Sequence, residues 1–173
     1  MHTDMLDLPG VDLVGDLYDP MFFDKLRGQG FKSLLCANLL EHLPDPAAIA
    51  RRLLELLESG GLLFVTVPRR FPYHAGPIDT LLRPDVAQLH ALFPDARLVQ
   101  GEEVTSMTWW EIMDRSPAAL ARKLARLAVP FYRPKGWLTV AAHVPWLWRR
   151  FSVTCVVLEK CGSLTAKTPR APR

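Results

Sequence analysis

One stretch, Leu34–Pro68, constrains the fold of this chain more than any other part of it. It opens with a short apolar run that ends at Ala37 and is too short for a helix. Asp45 then suits a helix N-cap, and Pro46 suits the first helical turn. Apolar residues recur behind them at every third or fourth position, so the stretch predicts a strand followed by an amphipathic helix.

Two glycines and a second apolar run complete the pattern. Gly60 and Gly61 accept the left-handed conformation that ends a helix, and the run Leu62–Val67 follows them. Two apolar strands around one helix predict a crossover with parallel strands buried on both faces. Ligands of such sheets bind outside the carboxyl ends of the strands, which singles out residues 36–42 and 68–79.

The same stretch resembles a known family. Its residues 34–46 read LLCANLLEHLPDP, and Ser59-Gly60-Gly61 and a strand ending at Pro68 follow. This is similar to the second half of the class I methyltransferases that use S-adenosylmethionine, and the type 11 subgroup is the closest by pattern. The resemblance covers roughly residues 4–110 and the last strand. It implies an α/β fold with a doubly wound, Rossmann-like and mostly parallel sheet.

The resemblance also implies acidic contacts to the cofactor S-adenosylmethionine. Asp4 falls where the family has an acid that bonds the ribose hydroxyls. Asp16, with the adjoining Leu17, falls where an acid lies by the adenine amino group. A carboxylate can accept hydrogen bonds from both kinds of donor. From the residues alone, Asp4 could equally belong to a frayed chain start, and Asp16 could cap the following helix.

The end of the first strand is the other cofactor-binding candidate. By the same resemblance, the remaining pocket would be lined by Cys36, Ala37 and Asn38. An asparagine that simply ends a strand is the alternative for Asn38. Cys36 lies in an apolar strand without an obviously paired histidine, so we do not expect it to be a nucleophile. His2, His90 and His143 lack ligand spacing, and we predict no metal site.

Two histidines are candidates for acid–base chemistry. Methyl transfer from a sulfonium is an in-line displacement, in which the protein positions the acceptor and can remove its proton. Histidine is the usual base near neutral pH, and both His42 and His74 follow the carboxyl ends of the predicted central strands. For His74 the alternative is a surface loop histidine. Glu41 is expected to orient its loop or the helix N-terminus.

One family feature is missing from the sequence. The family's first strand is followed by a glycine-rich loop that cradles the methionine end of the cofactor, and this chain has no such motif. Asp4 would already end the second strand. We therefore expect the first strand, the loop and the first helix to precede Met1, which makes the sheet N-terminally incomplete. The competing interpretation is a non-catalytic methyltransferase-like remnant that docks on a partner chain or a membrane.

Charge is distributed unevenly along the chain. Residues 1–114 carry a net charge of −8, whereas residues 115–150 contain 8 lysines and arginines and no acid. All five tryptophans lie within residues 105–150. This segment is expected to be a helical insertion before the last strand that covers a small-molecule or lipid-linked acceptor. Peripheral membrane contact is the second interpretation, and nucleic-acid binding by stacking is unlikely.

The remaining expectations concern domain organisation. Residues 1–160 should form one methyltransferase-like domain, and the basic residues 161–173 a disordered tail. The three cysteines have no metal or disulfide spacing, which favours a reducing cytoplasm. We see no signal peptide and no apolar stretch of transmembrane length, so the protein is expected in the cytoplasm or peripherally at the membrane.

Overall fold

The computed structural model describes residues 1–73, 78–112, 116–128, 137 and 144–162. These residues form six strands, five α-helices and two 3₁₀ helices. The strands are β1 (Thr3–Asp4), β2 (Leu13–Val14), β3 (Phe31–Ala37), β4 (Leu57–Arg70), β5 (Ala96–Thr108) and β6 (Arg150–Lys160). The helices are α1 (Pro20–Arg27), α2 (Pro46–Leu56), α3 (Val86–Ala91), α4 (Trp109–Ile112) and α5 (Pro117–Ala128), and the 3₁₀ helices are Leu40–His42 and Val144–Leu147.

The predicted crossover is confirmed. Strands β3 and β4 are parallel, with Leu34 opposite Leu63 and Cys36 opposite Val65, and α2 connects them. The Asp45 carboxylate accepts a hydrogen bond from the backbone N–H of Ala48 at 2.9 Å, which is the expected N-cap. The apolar stripe of α2 then packs on the sheet.

The end of α2 differs from the prediction. The helix ends at Leu56, before the glycine pair, because Leu57 already turns into β4 opposite Phe31. Gly60 takes a φ of +75° and lies in the irregular step of β4 that separates the Phe31–Leu57 pair from the Ser33–Leu62 pair. Left-handed glycine therefore serves a bulge in the strand here, and not the helix terminus.

The main sheet has the order β3–β4–β6–β5. Strand β6 runs antiparallel to both β4 and β5, while β1 pairs in parallel with β2 in a separate two-stranded sheet. Among the described strands, two pairings are parallel and two antiparallel, so a mostly parallel sheet is not confirmed. The coarser prediction of a mixed α/β fold is confirmed.

One face of the main sheet carries the core. On β4, Leu63, Val65 and Val67 are at most 1% exposed and pack with residues of α2 and α3. The alternate residue Phe64 is 39% exposed, and its cross-strand neighbour Leu35 is 71% exposed. The prediction that both faces of these strands are buried is therefore wrong for the part of the chain described.

A second, smaller cluster joins the N-terminal elements to the sheet. Phe22, Phe23 and Leu26 of α1 are buried against Leu56 at the end of α2. Arg52 of α2 lies over the Phe23 ring at 5.1 Å from its centroid and donates a hydrogen bond to the carbonyl of Leu17. This contact fixes the segment after β2 against the crossover helix.

The segment before β6 contains the short helix α4 and the helix α5. Helix α4 contacts the second 3₁₀ helix. Much of the predicted insertion and residues 163–173 of the predicted tail lie outside the described residues. Within the described ranges, no helix combines the length and hydropathy needed to cross a bilayer.

Candidate functional site

Asn38 marks the carboxyl end of β3. Its φ of 48° places it in the left-handed region, which asparagine tolerates better than most residues. Its backbone N–H donates to the carbonyl of Thr66 at 2.9 Å, and its side-chain oxygen accepts a hydrogen bond from the Thr66 hydroxyl at 3.4 Å. These bonds join the ends of two parallel strands, and the side chains of Ala37 and Asn38 are exposed there.

The next residues form a tightly held 3₁₀ helix. The Glu41 side chain is 1% exposed, and its Oε1 lies 3.8 Å from Nε2 of His42. His42 Nδ1 donates to the carbonyl of Ile78, and the backbone N–H and hydroxyl of Thr80 both donate to the Glu41 carbonyl at 2.9 Å. His42 therefore ties the loop after β4 to the loop after β3.

An ion pair closes the loop after β4. Arg83 holds Asp79 through two bonds, Nη1–Oδ1 at 3.1 Å and Nη2–Oδ2 at 2.7 Å. The Arg83 guanidinium also donates to the carbonyls of Phe71 and Pro72 on the other side of the loop. The ends of the loop are thus clamped together. The candidate base His74 lies outside the described residues.

Asp16 and Leu17 lie between β2 and α1, near the N-terminus of α2. Asp16 Oδ1 accepts the backbone N–H of Tyr18 at 2.8 Å, and the Tyr18 hydroxyl donates to the Asp45 carbonyl at 3.2 Å. The half-buried Asp16 therefore shapes a turn with one carboxylate oxygen. No hydrogen bond within the described residues involves its other oxygen. This position agrees with the cofactor role that the resemblance implies, and equally with a turn residue.

Asp4 is similar. It ends β1, and its Oδ1 accepts the backbone N–H of Leu6 at 2.9 Å. Its carbonyl accepts the N–H of Gly15 at 3.0 Å, which holds β1 beside β2. Asp4 thus ends β1, and Asp16 follows the end of the parallel strand β2 by two residues.

Cys36 faces the core. Its side chain is 4% exposed, and burial, with a smaller contribution from Glu41, raises the pKa of the thiol to about 12. The thiol stays protonated at neutral pH, which argues against nucleophilic chemistry. The Cys36 side chain therefore does not line the edge at which Ala37 and Asn38 are exposed.

The sequence interpretation missed several residues at this edge. Thr66, Thr80 and Arg83 were not singled out, although each makes hydrogen bonds that shape it. The opposite charges of Asp79 and Arg83, four residues apart in the sequence, were the available signal.

A surface depression and the arrangement of possible metal ligands are the remaining features to place relative to this edge. A shallow surface depression near Ser59, Arg97 and Cys161 lies at the opposite end of β4. Across the described residues, no three histidine, cysteine or acidic side chains are grouped to hold a metal ion.

Comparison with known proteins supports the same fold. No protein-family profile matches the chain. A segment of 42 residues is 45% identical to the ubiquinone biosynthesis O-methyltransferase of Xanthomonas campestris pv. campestris (strain B100). The same identity is found with the protein of that name from Xanthomonas oryzae pv. oryzae (strain PXO99A). The segment covers 24% of this chain and 18% of either relative.

Two solved structures extend the likeness over most of the chain. Coclaurine N-methyltransferase, solved with N-methylheliamine and SAH, matches 88% of this chain and 52% of its own, with a TM-score of 0.52 and 17% identity. The [4+2]-cyclase SpnF matches 76% of this chain and 50% of its own, with a TM-score of 0.50 and 20% identity. The chain thus spans about half the length of either protein.

These findings define the class of fold. The chain has the fold of the class I S-adenosylmethionine-dependent methyltransferases, as its sequence predicts. Within that fold, a quarter of the chain resembles the ubiquinone biosynthesis O-methyltransferases. Because one structural neighbour is a cyclase, the fold alone does not decide the reaction.

Proposed function

We propose that this chain transfers the methyl group of S-adenosylmethionine to a small-molecule or lipid-linked acceptor. The observation that carries the proposal is the edge at Asn38. There the left-handed Asn38 follows the end of β3, bonds Thr66 of the parallel strand β4, and is exposed at the edge where ligands of such sheets bind.

The described residues fit part of the adenosyl cofactor. The half-buried Asp16 carboxylate has one oxygen committed to Tyr18 and can offer the other to a hydroxyl or amine donor. The exposed Asn38 can offer the N–H groups of its side-chain amide at the neighbouring strand end. When bound, the cofactor supplies an electrophilic methyl group on a sulfonium, so the chain itself must hold the acceptor in line and exclude water.

The two histidines have different prospects in this proposal. His42 Nδ1 donates a hydrogen bond to the carbonyl of Ile78. Nε2 lies near the buried Glu41, which favours a positioning role for His42 over proton abstraction from an acceptor. We keep His74 as the candidate base, because it follows the carboxyl end of β4 in the sequence.

Calorimetric titration of the purified chain with S-adenosylhomocysteine tests the proposal. We expect binding in the micromolar range that is weakened at least tenfold by Asp16→Ala, equivalent to about 1.4 kcal/mol. Asp24→Ala is the matched control, because Asp24 is an exposed acid on α1. A folded sample that binds no cofactor, or binds it equally well in both variants, contradicts the proposed site.

A non-catalytic docking module is the second candidate function. What favours it is the uncovered face of the sheet, where Leu35 and Phe64 are exposed beside each other. Monomeric proteins seldom leave neighbouring large apolar side chains uncovered without a partner for them. A folded chain that binds no S-adenosylhomocysteine but self-associates or captures a partner through this face would support this candidate.

A further inference from the structure

The chain that enters β6 presents an exposed tryptophan beside two arginines. Trp148 is 78% exposed, and Arg149 and Arg150 are exposed as well. Two residues earlier, Trp146 stacks on Phe151 with ring centroids 5.4 Å apart and an interplanar angle of 20°. The stack joins the two sides of the turn that contains Trp148. Trp148 therefore projects from a turn that is held at both of its ends.

Helix α4 lies next to this turn and adds a second tryptophan. It contacts the second 3₁₀ helix, which directly precedes Trp148. Trp110 on α4 is 45% exposed, and Met107 just before α4 is 52% exposed. Trp110, Trp148, Arg149 and Arg150 together are called the tryptophan tip below.

Helix α5 repeats the same combination of apolar and basic residues. Ala119 is 5% exposed and faces the protein, whereas Leu124 is 64% exposed. Five residues along a helix amount to roughly 140° around its axis, so Leu124 is turned away from the side that packs. The exposed Arg122 lies on the same helix. An amphipathic helix that turns a leucine to the outside has an apolar surface left to bury.

The chain segment 115–150, which includes α5 and the two arginines of the tip, carries charge of one sign. Residues 115–150 contain 8 basic residues and no acid. Two acids of the described structure adjoin it. Glu111 accepts hydrogen bonds from the backbone N–H and the hydroxyl of Thr108, and Glu103 accepts one from the hydroxyl of Ser152 and lies 3.6 Å from Arg70. Exposed tryptophan among arginines suits the interface of a bilayer, where the indole lies at headgroup level and arginine meets lipid phosphate.

We propose that the tryptophan tip docks the protein peripherally on the surface of an anionic phospholipid bilayer. Phe71, at the start of the loop clamped by Arg83, lies 5.0 Å from Phe151 between ring centroids, so the tip is beside the candidate site. Docking through the tip brings that edge of the sheet close to the headgroups. The inference does not depend on methyl transfer, because it rests on exposure and charge alone.

Vesicle flotation with the full 173-residue chain tests the docking. Vesicles of phosphatidylcholine alone are compared with vesicles in which phosphatidylglycerol makes up part of the lipid. We expect binding to the anionic vesicles, with a blue shift of tryptophan fluorescence. Trp148→Ala and the double variant Arg149→Glu/Arg150→Glu should each lower the partition coefficient about tenfold or more. Arg149 and Arg150 are exposed, so the charge reversal should leave thermal unfolding unchanged.

Matched controls come from the same chain. Met21→Ala removes an exposed apolar side chain from α1, and Arg51→Glu reverses an exposed charge on α2, so both should leave vesicle binding within twofold. Binding lost in the arginine variant but unchanged in Trp148→Ala would mean polyanion binding without insertion and would overturn the proposal. Equal binding to neutral vesicles, or no binding by the folded wild-type chain, would overturn it too.

Discussion

Arg83 and Asp79 form a buried two-bond ion pair in the part of the chain that follows β4. The Asp79 side chain is fully buried and the Arg83 side chain is 14% exposed. Asp79 Oδ1 also accepts the backbone N–H of Leu81 at 2.8 Å, and Leu81 has a φ of +59°. The pair therefore supports a strained backbone position and holds both ends of the loop together.

Breaking this pair should destabilise the protein strongly. Asp79→Ala leaves the Arg83 guanidinium without its carboxylate in a nearly buried position, and we expect a loss of roughly 3 kcal/mol in the free energy of unfolding. Arg83→Lys should lose less, because it keeps the charge but not the bidentate geometry. Urea denaturation measures both.

The surface pair Arg27–Glu55 provides the comparison. Its Nη2–Oε2 distance is 2.8 Å, but both side chains are about half exposed. Glu55→Ala should therefore cost less than about 1 kcal/mol. Equal losses from the two pairs would mean that the Asp79 carboxylate is accessible to water, contrary to the structure.

The one-sided burial of the main sheet gives a second prediction. Leu63→Ala removes a fully buried side chain from the core and should cost about 3 kcal/mol in unfolding free energy. Leu35→Ala changes a side chain that is 71% exposed and should alter stability by less than about 0.5 kcal/mol. Equilibrium denaturation of both variants decides the matter. A large loss from Leu35→Ala would show that the second face of the sheet is covered in solution.

The sequence predicted what is local and periodic. The end of β3 at Ala37 and the start of α2 behind its Asp45 N-cap were predicted, because an apolar run and a capping residue mark them locally. The end of α2 was missed, because Gly60 suits a bulge as well as a helix terminus, and only the pairing of Leu57 with Phe31 distinguishes them. The sequence of a single strand also does not tell whether a second layer covers its other face.

The sequence also predicted where the candidate site lies in the sheet, because that position depends only on the order of the strands and helices. The strand-end residues Ala37 and Asn38 follow from the crossover rule, which requires only the order of elements. The roles of His42 and Arg83 depend on contacts with Ile78 and with Asp79, Phe71 and Pro72. Such contacts depend on how two loops meet in space, and no periodicity in the chain encodes them.

Gly61 is a position where space, and not backbone conformation, requires glycine. A Cβ built there would lie 2.9 Å from the Glu58 carbonyl oxygen and 3.2 Å from that of Lys32. Gly61→Ala should therefore shift the β3–β4 pairing and cost about 2 kcal/mol in unfolding free energy. Gly28→Ala is the control, since a Cβ there comes no closer than 4.0 Å to its neighbours and the φ of −68° suits alanine. That variant should be neutral or slightly stabilising, and thermal unfolding distinguishes the two.

The buried thiol of Cys36 predicts how stability depends on alkaline pH. Its pKa is raised from 9.0 to about 12 in the folded protein, so the folded state keeps a proton that the unfolded chain releases in this interval. Below pH 9 this group does not lower the free energy of unfolding. As pH rises from 9 toward 12, the unfolded chain releases the proton first, and the free energy of unfolding falls by up to roughly 4 kcal/mol. Denaturation at a series of pH values should show this decline, and Cys36→Ala should flatten it. Cys155 is the control, because burial and Glu102 raise its pKa as well but the residue is only partly buried, so Cys155→Ala should change the slope much less. A wild-type profile that matches that of Cys36→Ala above pH 9 would contradict the burial of this thiol.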